Sequence, residues 1–226
     1  MAKGLTRQVV VDAALAVLDE RGLDGLTVRA VAERLDVKAP ALYWHVRDKQ
    51  ELLDEMGTRV WTDIARAAAR QHGDDWRAAM LRYAHAARAG LLAHRDGARA
   101  FSGTYLVDPE ALRASEPGLA WLEGEGFPPA AAARSFSILT SFVVGHCIEE
   151  QARAQAPDDR YSVEKRDARV GAEANARVAL TGRVLAGDAG ELFEGLLDIV
   201  LAGIAGLRTG SDDRAARASE EVGGSP

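Results

Sequence analysis

Apolar residues recur every three or four positions along nearly the whole chain, which is the spacing of one face of an α-helix. The first such segment runs from Thr6 to Arg21, where Thr6 can cap the first turn and Gly22 can end the helix. Its apolar positions are Val9, Val10, Ala13, Ala14, Val17 and Leu18. The alternation of a β-strand does not extend over any length of the chain. The pattern therefore predicts an all-α protein.

Two short helices around a tight turn follow the first helix. Thr27 can accept from the free amides of a helix that runs to about Arg34, and residues 35 to 37 form the turn. A helix of about seven residues then begins near Ala39, with Pro40 in its first turn. Such a unit has too small a core for an enzyme site and the right shape to enter a DNA groove.

The remaining chain continues the helical pattern. Helices are predicted from Asp48 toward Arg70, from Trp76 to Ala93, near Phe101, from about 129 to 154, from Ala172 to Leu185 and from Ala189 to Leu207. Pro109 and Pro117 interrupt the segment from 106 to 126. Residues 156 to 171 are polar and are expected to form a mobile loop. We therefore divide the chain into a helix-turn-helix domain (1–47), a larger helical domain (48–208) and a disordered tail (209–226).

Charge is unevenly distributed along the 226 residues. The net charge of -6 argues against DNA binding through bulk positive charge. Residues 1 to 50, however, carry eight Lys/Arg and seven Asp/Glu, whereas the other 176 carry 20 and 27. Any phosphate contact is therefore expected in the first segment. The single cysteine, Cys147, fits a reducing, cytoplasmic compartment, and no membrane span is expected because the apolar run from 192 to 207 is short and contains acidic residues.

The outward positions of the third helix carry residue types that suit a duplex surface. A Tyr hydroxyl, Lys, Arg and helix N-terminal amides all bind phosphate oxygens well. Composition alone leaves a second interpretation open, in which Tyr43, Trp44 and His45 form an aromatic cluster that packs a helix end.

A resemblance favours the first interpretation. The segment Leu26 to Leu53, with Leu-Tyr-Trp-His-Val at positions 42 to 46 followed by Asp48-Lys49, resembles the DNA-binding domain of the TetR family of bacterial repressors. Residues 91 to 99 and 145 to 151 resemble the regulatory domain of that family. The resemblance implies an all-helical homodimer with two DNA-binding domains and a ligand-binding core.

The resemblance also implies which residues bind DNA. The candidates are Thr27, Arg29, Lys38, Ala39, Pro40, Ala41, Tyr43, His45 and Lys49. Ala39 and Ala41 stand where tetracycline-responsive members of the family carry Gln and Thr. A Gln can bond an adenine edge twice, whereas Ala offers only a methyl group. We therefore expect a different palindromic operator, with Arg29 as the main base reader.

The implied effector site lies between helices of the larger domain. Its candidates are Phe101, Thr104, Tyr105, Trp121, Phe136, Ser141, Phe142 and Glu149. The alternative for the aromatic residues is that they only fill the core. Phe101, Tyr105 and Ser141 stand where the tetracycline-responsive members have a metal-coordinating His, an Arg and a second His. Since Phe cannot ligate Mg²⁺, we expect no metal and no cofactor, and an aromatic or apolar, antibiotic-like effector.

The expected dimer interface consists of the helices near 129–154 and 189–207, because a four-helix bundle across a two-fold axis would bury them. Gly195, Gly203 and Gly206 allow close approach of the two copies.

Two other classes of function remain as alternatives. Long helices with apolar faces also build interaction scaffolds. A small-molecule-modifying enzyme is the weaker alternative, because the five histidines lack a metal-ligand spacing and no nucleophile or phosphate-loop motif occurs.

Overall fold

The fold is all-α across the residues that a computed structural model describes, which are 4–69, 71–157 and 160–208. The helices are α1 (Arg7–Gly25), α2 (Val28–Arg34), α3 (Ala39–Leu42), α4 (Lys49–Ala67), α5 (Trp76–Leu92), α6 (Gly97–Phe101), α7 (Pro109–Arg113), α8 (Glu116–Gly124), α9 (Pro129–Ala154), α10 (Val163–Val170), α11 (Ala176–Leu185) and α12 (Ala189–Ala205). The predicted fold class is confirmed.

Short polar side chains begin most of the helices, as the sequence predicts. Thr6 accepts from the Val9 amide, and Thr27 accepts from the Ala30 amide at 3.0 Å. Asp48 and Asp75 cap α4 and α5 in the same way. Gly22 has a φ of 69° and interrupts the helical conformation of α1, so that the chain can turn toward α2.

The first three helices enclose a small core. Val10, Ala14 and Leu18 of α1 are fully buried, and they pack with Val31 and Leu42. Because α2 and α3 are too short to be stable alone, this packing is what holds them together. We call α1 to α3 the head, and the helices from α5 onward the core.

Helix α4 leads from the head into the core, where α5 and α9 are the central pair. Helix α4 packs on α5 and α6, while α9 packs on α5, α6, α8 and α12. Helix α9 is also long and apolar enough, by length and composition alone, to cross a membrane. Core helices of soluble proteins pass the same test, and the outer face of α9 carries the exposed polar residues Arg134, Ser141 and Glu149.

Two predicted elements differ from the structure. Helix α3 spans four residues rather than about seven, and a turn closed by the Val46 amide on the Leu42 carbonyl follows it. The segment predicted as a mobile loop contains α10, whose start is capped by Ser162. Its charged residues bind α11, because Arg183 donates to Asp167 at 3.1 Å. Position 70 and the predicted tail, 209–226, lie outside the described residues.

Candidate functional site

We give the name reading face to the exposed residues at the start of α2 and around α3, which are Arg29, Lys38, Pro40, Tyr43 and Trp44. Arg29 and Lys38 lie on it and are exposed. Within the described part of the chain, neither forms an ion pair or a side-chain hydrogen bond. Two cations without acidic partners on one face are available to phosphates or to base edges.

The other arginines of the head are neutralised by acidic residues of the same region. Arg34 donates to Glu20 at 2.6 Å, and Arg21 lies 3.5 Å from Glu33. Arg47, which lies between α3 and α4, likewise binds Glu51 of α4 at 2.9 Å. The first 47 residues have almost no net charge. Among the described residues of the head, the Lys and Arg side chains without an acidic partner are on the reading face.

Large aromatic side chains project from the end of α3. Tyr43 is 55% exposed and Trp44 is 89% exposed, while His45 is half-buried. The structure does not support an aromatic cluster that packs a helix end, because an indole in such a cluster would be shielded from solvent. Trp44 is absent from the predicted DNA-binding residues, although its place between two candidates could have indicated it.

The small residues of α3 sit closer to the head. Pro40 is exposed in the first turn, whereas Ala39 and Ala41 are half-buried. Ala39 packs against the core cluster of the head. The backbone of α3 can therefore approach a partner closely at Ala41 and Pro40.

Two predicted DNA-binding side chains make contacts within the head. Thr27 holds the start of α2 through its hydroxyl oxygen. Lys49 donates from Nζ to the Leu23 carbonyl at 2.7 Å, which ties α4 to the turn before α2. Lysine has two further N–H donors, so this contact leaves Lys49 able to bind a phosphate as well.

Among the effector candidates, Phe101 is the most deeply buried, with 1% of its surface exposed. It ends α6, and its carbonyl accepts from the Thr104 hydroxyl at 2.9 Å and from Trp61 Nε1 at 3.4 Å. Trp61 lies on α4. Phe101, Thr104 and Trp61 thus lie together at the junction of α4 and α6.

The segment after Phe101 crosses α4. Thr104 packs so closely on Gly57 that a Cβ there would overlap its side chain. The Tyr105 amide donates to Asp54 at 3.0 Å, and the Val107 amide donates to the Thr58 hydroxyl at 2.9 Å. The Tyr105 side chain is 69% exposed. A displacement of this segment must therefore act on α4.

A second group of aromatic candidates lies between α5, α8 and α9. The rings of Phe136 and Tyr83 meet edge to face, with centroids 5.6 Å apart. The Tyr83 hydroxyl shares a hydrogen bond of 2.7 Å with Thr140, and burial raises the pKa of Tyr83. Trp121 is half-buried and packs against the core. Tyr83 was missed because a single tyrosine in an amphipathic helix carries no distinguishing signal.

The remaining candidates face other directions. Ser141 and Glu149 are exposed on the outer face of α9. Phe142 stacks on Phe193 of α12, with centroids 5.5 Å apart. One protomer therefore does not bring all the predicted effector residues into a single cavity.

The described residues contain no cluster of three or more His, Cys, Asp or Glu side chains that could hold a metal ion. Burial raises the pKa of the Cys147 thiol to about 12, so this thiol is a poor nucleophile at neutral pH.

The fold and the reading face define a DNA-binding regulator with a helix-turn-helix head on a helical core. A model of bacterial regulatory proteins of the tetR family matches residues 10–56, and one of the tetracyclin repressor-like C-terminal domain matches residues 69–208. The chain belongs to the TetR family, and it is a ligand-responsive transcriptional repressor.

Individual relatives agree with this assignment. The class A tetracycline repressor from transposon 1721 of Escherichia coli is 39% identical over 148 residues, which are 66% of this chain and 68% of the relative. A possible TetR family regulator from Streptomyces coelicolor A3(2) has 37% identity and a TM-score of 0.78, covering 89% of this chain and all of its own. The Streptomyces coelicolor protein ActR, solved in complex with actinorhodin, has 26% identity and a TM-score of 0.78, covering 90% and 97%.

Proposed function

We propose that this repressor binds a palindromic operator as a homodimer in the cytoplasm, through the reading face of each head. The observation that carries the proposal is the pair of exposed, unpaired cations, Arg29 and Lys38, beside exposed aromatic side chains. Arg29 is placed to read a base edge, while Lys38 and Tyr43 bind phosphates. Trp44 packs on the sugar-phosphate backbone. For the chain itself, we place the domain boundary between residues 47 and 48, so that α4 belongs to the larger domain.

The methyl groups of Ala39 and Ala41 read the operator by contact rather than by hydrogen bonds. A methyl group can make an apolar contact with a thymine methyl in the major groove, but it cannot discriminate against other bases through hydrogen bonds. Specificity at these two base pairs is therefore weaker than at the pair read by Arg29.

The dimer forms through the outer faces of α9 and α12. Ile138 is 46% exposed and Ile199 is 69% exposed. A Cβ added at Gly145, Gly195 or Gly203 would meet no other atom, so the backbone of both faces is open to close approach. A two-fold axis through these faces would join two copies in a four-helix bundle and place the heads about 34–36 Å apart, or a multiple of this spacing.

The effector is an aromatic or apolar small molecule, bound where α4, α5, α6, α8 and α9 meet. Phe101, Phe136 and Trp121 offer ring faces, and the Tyr83 and Thr104 hydroxyls offer polar contacts. Ser141 and Glu149 lie on the proposed dimer face, so they reach an effector only from the partner copy. No metal and no catalytic role is assigned.

Effector binding releases DNA through α4. The segment from Thr104 to Val107 contacts the effector region on one side and bonds α4 on the other. A shift of this segment tilts α4 and changes the distance between the two heads. A coupling of about 1–3 kcal/mol would change DNA affinity roughly 5- to 150-fold.

The proposal is tested in two steps. Selection from a pool of random duplexes should recover a palindrome, and fluorescence anisotropy should show one dimer bound to it. Actinorhodin, with and without Mg²⁺, is the first effector probe in a thermal-shift assay, since ligand binding to the native state raises the melting temperature. Recovery of no preferred duplex would contradict the DNA-binding role and favour a helical scaffold.

A further inference from the structure

The turn between α5 and α6 lies directly against the end of α1. His94 Nδ1 is 3.0 and 3.1 Å from the two carboxylate oxygens of Asp19, and the Arg95 amide donates to the same carboxylate at 3.2 Å. Asp96 accepts from the Leu23 amide at 2.9 Å. The core therefore contacts the head at a place separate from α4.

The backbone on both sides is shaped for this contact. Gly22 has a positive φ, and a Cβ added there would lie 2.8 Å from Asp96 Oδ2. Asp96 itself has a φ of 57°, which few residues other than glycine adopt without cost. The approach of the two segments leaves no room for a larger residue at position 22.

His94 also contacts the effector region. Its ring stands edge-on to Phe101, with centroids 5.9 Å apart and an interplanar angle of 88°. Its carbonyl accepts from Gln151 Nε2 of α9 at 2.8 Å, which fixes the turn on the central helix. One side chain thus touches a carboxylate of the head on one side and a candidate effector residue on the other.

We propose that His94 is a positioning residue that transmits a displacement of Phe101 to the head through Asp19, in parallel with the route through α4. The proposal rests on the proposed function, in which Phe101 contacts the effector. Interiors are close-packed, so the imidazole must follow when the Phe101 ring moves. Its hydrogen bond to Asp19 then changes in length or direction, and the end of α1 moves with it.

A double-mutant cycle on DNA binding tests this route without an effector. The probe is a duplex selected by the wild-type protein from a random pool, and its Kd is measured for wild type, Phe101→Leu, Asp19→Asn and the double variant. We expect the double variant to differ by about threefold or more from the product of the two single changes, as residues in one network do. The His94→Phe background keeps a ring against Phe101 but removes the nitrogen. In that background, the fold-changes in Kd caused by Phe101→Leu and Asp19→Asn should simply multiply.

Glu20→Gln is the matched control for Asp19→Asn. Glu20 is the neighbouring residue, but its carboxylate pairs with Arg34 inside the head. The fold-changes in Kd caused by Phe101→Leu and Glu20→Gln should multiply in both the wild-type and the His94→Phe background. The proposal is overturned if Phe101→Leu and Asp19→Asn multiply in the wild-type background, or if their coupling persists with Phe at position 94.

Amide hydrogen exchange provides a measurement that needs no DNA. Phe101→Leu should change the exchange rates of residues 19 to 23, and His94→Phe should abolish that response. Unchanged rates in the first variant would overturn the transmission through His94 even if the protein binds its operator. Failure to recover any preferred duplex, with the exchange response intact, would instead count against the proposed function alone.

Discussion

The head and the effector region differ in how far one protomer completes them. The candidate DNA contacts lie between positions 27 and 49, and among them the exposed Arg29 and Lys38 have no acidic partner within the described residues. The effector candidates span positions 101 to 149 and face several directions, with Phe101 buried and Glu149 exposed. The proposed DNA-reading surface can therefore be assembled from local sequence, whereas the proposed effector site draws on distant helices and on a second copy.

The difference has a physical origin. Caps and turns fix a short helical unit within a few residues, so its outward positions follow from the helical period. The direction of a side chain in the core depends instead on which helices pack around it. Four predictions test how far this contrast holds.

The largest effect is expected from Ile199→Glu, which places a charge on the proposed dimer face of α12. Two buried carboxylates across a two-fold axis would prevent association. We expect monomers by light scattering and a loss of operator affinity on the order of 10²- to 10⁴-fold, because the two heads no longer act together. Leu196 and Val200, on the same helix, are half-buried and are therefore less selective probes.

Leu112→Glu is the control for that variant. Leu112 is 50% exposed on α7, outside both α9 and α12. The Leu112→Glu variant should remain dimeric and bind the operator as the wild type does. If Ile199→Glu is still dimeric, the dimer interface lies elsewhere. The partner copy would then no longer be expected to bring Ser141 and Glu149 to the effector site.

The next effect is expected from Phe101→Ala in the core. Truncating a fully buried phenylalanine costs about 3–5 kcal/mol of unfolding free energy, because the ring leaves a cavity. Urea unfolding measures the loss, and Tyr105→Ala, at an exposed position in the same segment, should stay within about 0.5 kcal/mol of wild type. A loss below about 1 kcal/mol for Phe101→Ala would contradict this expectation. It would mean that neighbouring side chains move easily into the space that the ring leaves.

The head was predictable because its signals are local. The caps Thr27 and Asp48 and the early Pro40 place the starts of α2, α3 and α4 almost to the residue. What the sequence missed there was tertiary: Lys49 is tied to the Leu23 carbonyl, and α3 is shortened by the turn at its end.

The core was predictable in its helices but not in its contacts. The bounds of α9 and α12 follow from their apolar period, yet neither the pairing of Tyr83 with Phe136 nor that of Trp61 with Phe101 leaves a mark on the sequence. The polar segment that contains α10 looked like a loop because its stabilising partners are charged residues on α11.

A smaller effect separates two residues within the head. Arg29→Ala should cost about 1–3 kcal/mol of operator binding and relax the preference at one base pair, since a bidentate base contact is lost. Lys38→Ala should weaken binding to all duplexes alike. It should also reduce the slope of log affinity against log salt concentration by about one, because one phosphate contact is lost. Competition with single-base variants of the operator distinguishes the two. Equal loss on every duplex for Arg29→Ala would reduce the reading face to a phosphate-binding surface.

The smallest effect concerns His146, which lies in the core between α9 and α12. Burial lowers its pKa, and Glu150, 3.7 Å from Nε2, only partly opposes this. The folded state then binds the proton less readily than the unfolded chain, so stability is complete above the ordinary histidine pKa and declines as the pH falls below it. Urea unfolding at pH 7.5 and 5.5 should show a lower free energy at pH 5.5, by well under the loss expected for Phe101→Ala. His146→Phe should narrow that difference, and an unchanged pH dependence would assign it to other groups. Glu55 acts in the opposite sense, because burial raises its pKa and the folded state therefore gains stability as the pH falls.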